Sequence, residues 1–495
     1  MNVQTNTPQV TIESARARLA AGDVQAAEAI ALAILRDDPD HAEALHLLGI
    51  IRFQTGRAED GVKMLERAVR AAPRLLAAHV DLGAMLITVG RPLDATAQLR
   101  TAVQLDPANV EAQVNLGNAL HAQGELQAAE VVHHTALRLD PHHVRGNMSL
   151  GNLLLHLRRP QEAAEFLASA AAMAPAMAAP HQFLGNALRD LGRLDEAITS
   201  YRRAIALEPT IPDANEQLGL LLKGQGHFEE ALGPLNTAAT HHARARALEC
   251  LLRLGRPEEF FTDIRDHHER DATNMHSASL SAFASYHLGR PDPHPFCPRP
   301  LEYVRVVDRY TRPGADADFL RDLIGEASQL NAMWEPRGIS TVRGFQTGGN
   351  LFAHRLPALT RLNHDILEEL QRYRTGLQPA SMALLTRWPL NTRLHGWYVR
   401  LLTGGHQYFH NHPFGWMSGC LYLQMPKAAP AGEGAIEFGL ESGSYPPLSD
   451  KPAPTLVHHP KPGQIAFFPS SLYHRTIPFN SDEERLCIAF DLLPG

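Results

Sequence analysis

Residues 110–141 read "VEAQVNLGNALHAQGELQAAEVVHHTALRLDP", two helix-forming segments that meet at Gly124 and end at a proline. The same unit recurs every 34 residues. Its closing proline stands at Pro39, Pro73, Pro107, Pro141, Pro175 and Pro209, and an internal glycine stands at Gly49, Gly83, Gly117, Gly151, Gly185 and Gly219. Small residues let two antiparallel helices touch, and a proline cannot continue the second helix. The pattern therefore predicts an array of paired helices from residue 8 to residue 243.

This array resembles the tetratricopeptide repeat, at about seven repeats of 34 residues in 8–243. Its first copy has Ala15 in place of the glycine and its last copy lacks the proline, as capping repeats would. The resemblance implies an N-terminal all-α superhelical solenoid with a concave groove that binds a protein or peptide. The sequence does not identify that partner.

Asparagine follows the repeat glycine in three successive copies, at Asn118, Asn152 and Asn186. A side-chain amide donates and accepts at once, so these residues are candidates for binding the backbone of an extended peptide in the groove. The alternative is that each amide hydrogen-bonds a neighbouring helix. The sequence leaves both interpretations open.

The repeat pattern fades after residue 243, and residues 244–295 predict additional helical hairpins and a linker. The stretch "PDPHPFCPRP" at 291–300 places the domain boundary, because its prolines exclude both helix and sheet interior. Residues 300–495 begin with amphipathic helical patterns and continue, from 378 to 493, as short β-rich runs such as "SMALLTRW" and "GQIAFFP". We expect a C-terminal antiparallel jelly roll (a double-stranded β-helix) with supporting helices.

Three histidines and one arginine in the last hundred residues indicate a metal site. His410 and His412 form a His-x-His pair, which puts both imidazoles on one face of an extended segment. His474 closes the segment "FFPSSLYH", and Arg485 opens the last β-rich run. Three ligands on one side of a metal leave coordination positions open for other molecules, and a guanidinium facing a barrel interior needs a carboxylate partner.

The stretch "GGHQYFHNHPFGWMSGCLYLQMP", with "FFPSSLYH" and "RLCIAFDLL" after it, resembles the iron(II)/2-oxoglutarate-dependent dioxygenases over residues 396–493. The resemblance implies Fe²⁺ and 2-oxoglutarate as cofactors. It makes His410 and His474 catalytic metal ligands, and it makes Arg485 the residue that binds the far carboxylate of 2-oxoglutarate. His412 stands where that superfamily has an acid, and we take it as the third ligand.

Neighbouring residues offer competing assignments. His406 could replace one of the ligands, and Arg400 or Lys461 could replace Arg485 as the anchor. Arg485 itself could pair with an acidic residue at the surface. Ser418 and Tyr422 match the family pattern, and we assign them to packing.

Composition also indicates which partners and which cellular compartment to expect. A net charge of −7 and a pI near 6.4 argue against a nucleic-acid surface. We find no basic-then-apolar leader and no apolar stretch that would span a bilayer, so no membrane partner is expected. The four cysteines are scattered without a C-x-x-C, which indicates a reducing compartment and hence the cytoplasm.

The sequence thus predicts a 2-oxoglutarate-dependent oxygenase that hydroxylates a protein or peptide recruited by the repeats. Two alternatives remain. The chain could be a repeat scaffold whose barrel has lost turnover because His412 replaces the acid, or it could be an oxygenase that acts on a small molecule.

Overall fold

The computed structural model describes residues 11–336, 340–377, 382–426, 432–443 and 445–494. The chain divides into two compact units, residues 1–217 and 218–495. In the described part of the chain, no helix combines the length and the apolar character needed to cross a bilayer.

The N-terminal unit consists of antiparallel helix pairs, as the 34-residue period predicts. The helices are α1 (Ile12–Ala20), α2 (Val24–Asp37), α3 (Ala42–Gln54), α4 (Ala58–Ala71), α5 (Leu76–Thr88), α6 (Pro92–Leu105), α7 (Val110–Ala122), α8 (Leu126–Leu139), α9 (Val144–His156), α10 (Pro160–Met173), α11 (Ala178–Asp190) and α12 (Leu194–Leu207). Helix α13 (Pro212–Gly224) contains the division between the units. The predicted all-α repeat solenoid is confirmed.

The repeat glycines allow the two helices of a pair to touch. A Cβ added at Gly83 would lie 2.3 Å from Cγ of Leu99, and Ala95 and Ala102 on the same second helix are fully buried. A side chain at this glycine would push the helices apart and leave a void in a close-packed core.

A second feature, not apparent from the sequence, ties five of the first helices to the preceding turn. The side chain six residues after the repeat proline donates a hydrogen bond to that proline's carbonyl oxygen. The donors are His79, Gln113, Asn147, His181 and Asn215, at 3.0, 3.2, 3.1, 3.3 and 2.9 Å. Residue type varies at this position, but each side chain carries an N–H that reaches the same acceptor.

The C-terminal unit contains helices as well as strands. Its helices after α13 are α14 (Phe228–Ala238), α15 (His241–Arg253), α16 (Pro257–Asp266), α17 (His268–Asp271), α18 (Met275–Leu288), α19 (Ala315–Ser328), α20 (Pro357–Gly376) and α21 (Ala383–Thr386). The predicted boundary at 291–300 differs from this grouping. Helix α18 is buried along most of its length, and its Ser279 bonds residues of the sheet domain, so it belongs with that domain.

Ten strands in the described residues form one curled sheet in the order β1-β8-β5-β10-β4-β9-β6-β7, with β3 pairing both β2 and β4. The strands are β1 (Arg305–Asp308), β2 (Ala332–Trp334), β3 (Thr341–Thr347), β4 (Thr392–His410), β5 (Met417–Gln424), β6 (Ile436–Gly439), β7 (Thr455–His458), β8 (Gln464–Pro469), β9 (Tyr473–Thr476) and β10 (Arg485–Pro494). All pairings are antiparallel, which confirms the jelly-roll-like fold class.

Supporting helices cover one face of the sheet. Leu323 of α19 and Leu362 of α20 pack in the same core as Phe467 and Ile488 of the strands. One predicted strand was wrong: of "SMALLTRW", residues 383–386 form the short helix α21, and its first residue lies outside the described part of the chain. A four-residue apolar run fits a buried helix turn as well as a strand, so periodicity cannot separate them.

Candidate metal centre

The end of strand β4 and the turn after it carry two of the three histidines. The strand pairs with β10 over its first half and with β9 at its end, where His410 lies opposite His474 in register. His412 follows two residues beyond the strand. One ligand atom from each of the three rings lies within 4.8 Å of the other two. His474 lies inside β9.

The hydrogen bonds of the three rings leave the same nitrogen free on each. Nδ1 of His410 donates to the carbonyl oxygen of Tyr408 at 2.7 Å, and Nδ1 of His474 faces that of Leu472 at 3.4 Å. Nδ1 of His412 donates to Oδ1 of Asp491 at 2.5 Å. Because a neutral imidazole with a protonated Nδ1 carries its lone pair on Nε2, all three rings offer Nε2 to a metal.

Burial keeps the rings of His410 and His474 neutral near neutral pH. It lowers the pKa of His410 to about 4, with the neighbouring His412 contributing. Burial, followed by the proximity of His410 and His412, also holds the pKa of His474 well below its ordinary value. Metal binding requires the deprotonated imidazole, so protons compete weakly for these two ligands near neutral pH. The donor set fits a divalent transition metal such as iron(II).

Asp491 belongs to a buried polar network around His412. Its Oδ1 also accepts from the hydroxyl of Ser418 at 2.7 Å, and Ser418 lies 2.7 Å from the hydroxyl of Ser470. In the sheet, Asp491 and Ser418 are register partners on β10 and β5. From the sequence, Ser418 was predicted to be a packing residue, and Asp491 had no predicted role.

Arg485 is 1% exposed and lines the same cavity as the three histidines. Its Nε donates to the carbonyl oxygen of Gly434 at 3.1 Å, and its Nη1 lies 3.4 Å from Sγ of Cys487. Within the described residues, no carboxylate oxygen comes within 4.0 Å of the guanidinium. The surface ion pair considered for Arg485 is therefore not formed. A buried cation without an acidic partner is costly, and an anionic ligand would remove that cost.

Tyr422, assigned to packing from the sequence, lies beside this guanidinium. The centroid of its ring is 5.3 Å from Cζ of Arg485, and the side chain is fully buried. Its hydroxyl has no nitrogen or oxygen partner among the described residues. The ring of Tyr422 is therefore part of the buried surroundings of the Arg485 guanidinium.

Helix α18 contacts both segments that carry the histidines. The amide of Asn411, between His410 and His412, donates to the hydroxyl of Ser279 at 2.8 Å. That hydroxyl also bonds the carbonyl oxygen of Ser471, three residues before His474. A helix that the sequence assigned to the repeat extension thus bridges the two segments that carry the histidines.

The competing assignments have other partners. His406 is absent from the set of converging ligand atoms in the described residues, and its Nδ1 bonds the carbonyl oxygen of Gly404. Arg400 is paired with Glu484.

The three groove asparagines differ from one another. All are partly exposed on first helices of repeats, but Asn186 accepts a hydrogen bond from the hydroxyl of Tyr201 at 2.6 Å. In the described part of the chain, Asn118 and Asn152 make no side-chain hydrogen bond. The neighbouring-helix interpretation therefore describes Asn186, whereas the other two amides remain available to a ligand.

Comparisons with known proteins find separate matches for the repeat region and for the C-terminal part of the chain. The family model described as "Putative 2OG-Fe(II) oxygenase" matches residues 395–491. Two tetratricopeptide-repeat models match residues 94–124 with 185–226, and residues 12–75 with 134–178. A search of curated proteins finds no match.

Solved structures similar to the chain include TTC0263, a thermophilic TPR protein of Thermus thermophilus, at 22% identity over 37% of this chain and 99% of that chain, with a TM-score of 0.34. The APC/C hetero-tetramer Cut9-Hcn1 is 15% identical over 50% of each chain, with a TM-score of 0.44. PilW, a type IV pilus biogenesis factor, is 17% identical over 42% of this chain and 96% of that chain, with a TM-score of 0.39. The family models show that this chain joins tetratricopeptide repeats within residues 12–226 to a domain that matches the 2OG-Fe(II) oxygenase family in residues 395–491.

Proposed function

We propose that the protein is an iron(II)- and 2-oxoglutarate-dependent oxygenase that hydroxylates a protein or peptide. The observation that carries the proposal is one cavity with two complementary features. One ligand atom from each of three imidazoles lies within 4.8 Å of the other two, and a buried guanidinium without a carboxylate partner in the described residues lines the same cavity. A metal fits the first feature and the far carboxylate of a diacid fits the second.

In this proposal, His410, His412 and His474 would hold the metal. Arg485 would bind the far carboxylate, which would orient the keto acid toward the metal. When bound, iron(II) supplies the oxygen activation that couples decarboxylation of 2-oxoglutarate to oxidation of a substrate C–H bond.

The walls of the cavity limit access of water. Ile436 and Phe468 line it, both 4% exposed or less, and Trp397 lines it from β4. Apolar walls strengthen the contact between Arg485 and a carboxylate, because a low local dielectric favours opposite charges that are already in place.

We assign substrate recruitment to the repeats. The free amides of Asn118 and Asn152 would each donate to and accept from the backbone of an extended peptide, which requires no particular side chain in the ligand. The cytoplasm remains the predicted location, in agreement with four free, buried cysteines.

The deciding experiment is anaerobic loading of the full chain with iron(II), followed by exposure to oxygen and 2-oxoglutarate. We expect succinate to form, and to form faster when peptides from a cell lysate are added. A chain that begins at Pro212, checked for folding by circular dichroism, should retain the basal turnover and lose the stimulation by peptides.

The two alternatives give other outcomes. Metal binding without succinate formation would support the scaffold. A truncated chain that modifies its substrate as well as the full chain does would favour a small-molecule substrate, with the repeats as an assembly module.

A further inference from the structure

The proposed site has an unusual balance of charge. A dication held by three neutral imidazoles keeps both of its positive charges, whereas a set of two histidines and one carboxylate cancels one of them. His412 occupies the position at which a carboxylate was expected. Its Nδ1 lies 2.5 Å from the carboxylate of Asp491, so an acid is present one hydrogen bond away from the ligand position.

Asp491 is fixed in this place by residues that donate to it. It is 9% exposed, and the hydroxyl of Ser418, a fully buried residue, donates to the same Oδ1. Ser470, also fully buried, holds the Ser418 hydroxyl at 2.7 Å. Among the described residues, no lysine or arginine nitrogen lies within 4.0 Å of Asp491, and its one ion-pair partner is His412.

We propose that Asp491 is a positioning residue that supplies the missing negative charge to the metal through the imidazole of His412. This inference rests on the proposed function. A carboxylate that accepts the Nδ1 proton fixes the ring orientation and makes Nε2 a stronger donor to the metal. It also explains why an acid is buried here: the bound dication offsets the cost of its burial.

Replacing the carboxylate of Asp491 by an amide would test the effect of its charge separately from the effect of its hydrogen bonds. Asp491→Asn keeps an acceptor for both His412 and Ser418, and it removes only the charge. Ser418→Ala is the matched control, because it deletes the hydroxyl that contacts Asp491 at 2.7 Å and Nδ1 of His412 at 3.0 Å, and leaves both the charge of Asp491 and its own hydrogen bond with His412.

The test uses the full chain and cobalt(II), which binds iron(II) sites and can be followed without turnover. We would measure the affinity for cobalt(II) by anaerobic titration calorimetry. Paramagnetic proton NMR would then follow the exchangeable Nδ1–H signals of the three ligand rings. Thermal unfolding without metal would check that each variant folds.

For Asp491→Asn we expect a 10- to 100-fold loss of cobalt(II) affinity, the range typical of a lost outer-shell partner. One of the three Nδ1–H signals should shift while the other two stay in place. Ser418→Ala should change the affinity less than threefold.

An affinity unchanged by Asp491→Asn, three unmoved signals, or a loss equally large in Ser418→Ala would overturn the proposal. Absence of cobalt(II) and iron(II) binding by the unaltered chain would instead overturn the proposed function itself. The two failures are therefore distinguishable.

Discussion

Buried polar side chains in the N-terminal unit find their partners within about one repeat, whereas several of those around the candidate metal centre find theirs far along the chain. The amide of Gln113 bonds the carbonyl of Pro107, six residues away. Asn411 bonds Ser279 across 132 residues, and His412 bonds Asp491 across 79. A substitution in the repeats should therefore have a local effect, while one near the metal centre should disturb several segments at once.

The largest effect should come from removing a ligand. His474→Ala should abolish iron(II) binding and lower succinate formation at least ~1,000-fold, because two imidazoles cannot define the site and residual catalysis needs the metal. His406→Ala is the control, since His406 lies on the same strand as His410 and outside the converging set. Binding isotherms and coupled succinate assays measure both variants. If the His474→Ala variant still bound iron(II), the metal site would have to lie elsewhere in the chain.

The next effect tests the anion anchor. Arg485→Ala should raise the apparent KM for 2-oxoglutarate tenfold or more, on the order of the 1.5–3 kcal/mol of a charge-assisted hydrogen bond. Arg400→Ala should leave it unchanged, because that guanidinium is paired with Glu484. Steady-state kinetics at saturating iron(II) would decide. If the KM moves in Arg400→Ala alone, the anchor is wrongly assigned.

Ser279→Ala tests whether α18 belongs to the metal centre. The substitution leaves the amide of Asn411 and the carbonyl of Ser471 without their partner, which should cost about 1–3 kcal/mol and weaken iron(II) binding several-fold. Ser277 is the control on the same helix, because its buried hydroxyl has no partner in the described residues. Its change to Ala should leave the thermal midpoint and the metal affinity nearly unaltered. If Ser279→Ala and Ser277→Ala had the same thermal midpoint and the same metal affinity, α18 would contribute packing alone.

The same contrast explains how far the sequence predicted the structure. A helix pair depends on residues within about 34 positions of one another, so prolines and glycines at that period predicted the N-terminal unit. The hydrogen bonds to the proline carbonyls were missed because His79, Gln113 and Asn147 share an N–H and no residue type.

At the candidate metal centre, the sequence motif predicted four site residues, His410, His412, His474 and Arg485. All four line one cavity of the structure. Ser279 could not be predicted, because no local pattern relates a helix to a segment 132 residues later. The alternation of residues along β10 already puts Asp491 on the same face of the strand as Arg485. This alternation does not predict which residue Asp491 contacts, so its hydrogen bond with His412 could not be inferred.

A smaller effect tests peptide binding in the repeats. Asn118→Ala with Asn152→Ala should weaken the binding of a peptide substrate by about 1 kcal/mol per lost contact, roughly 30-fold in Kd together, and leave basal 2-oxoglutarate turnover unchanged. Asn186→Ala is the matched control, because its amide is engaged by Tyr201. It should reduce the thermal stability of the repeats more than peptide affinity. Unchanged affinity in the double variant would remove these amides from the proposal.

The smallest effect concerns stability within a single repeat. Sixteen residues after the repeat glycine, leucine packs at Leu65, Leu99, Leu167 and Leu235, but one copy has His133, which is fully buried with neither ring nitrogen hydrogen-bonded. His133→Leu should therefore stabilise the repeats by about 1 kcal/mol near neutral pH, because it removes a buried polar group without partners.

The gain from His133→Leu should grow in acid. Burial, with His121 and His134 adding to it, lowers the pKa of His133 to about 4, whereas the ring in the unfolded chain titrates near 6.5. Between these values the unfolded chain takes up a proton that the folded chain refuses, so the unaltered protein loses stability as pH falls from about 7 to 5 and the leucine variant does not lose this contribution. Thermal unfolding followed by helical circular dichroism at both pH values measures the difference. Tyr201→Leu, at the same repeat position, should give no such gain in stability because its hydroxyl is hydrogen-bonded. If instead the stability difference between His133→Leu and the unaltered chain became smaller in acid, His133 would be protonated in the folded state.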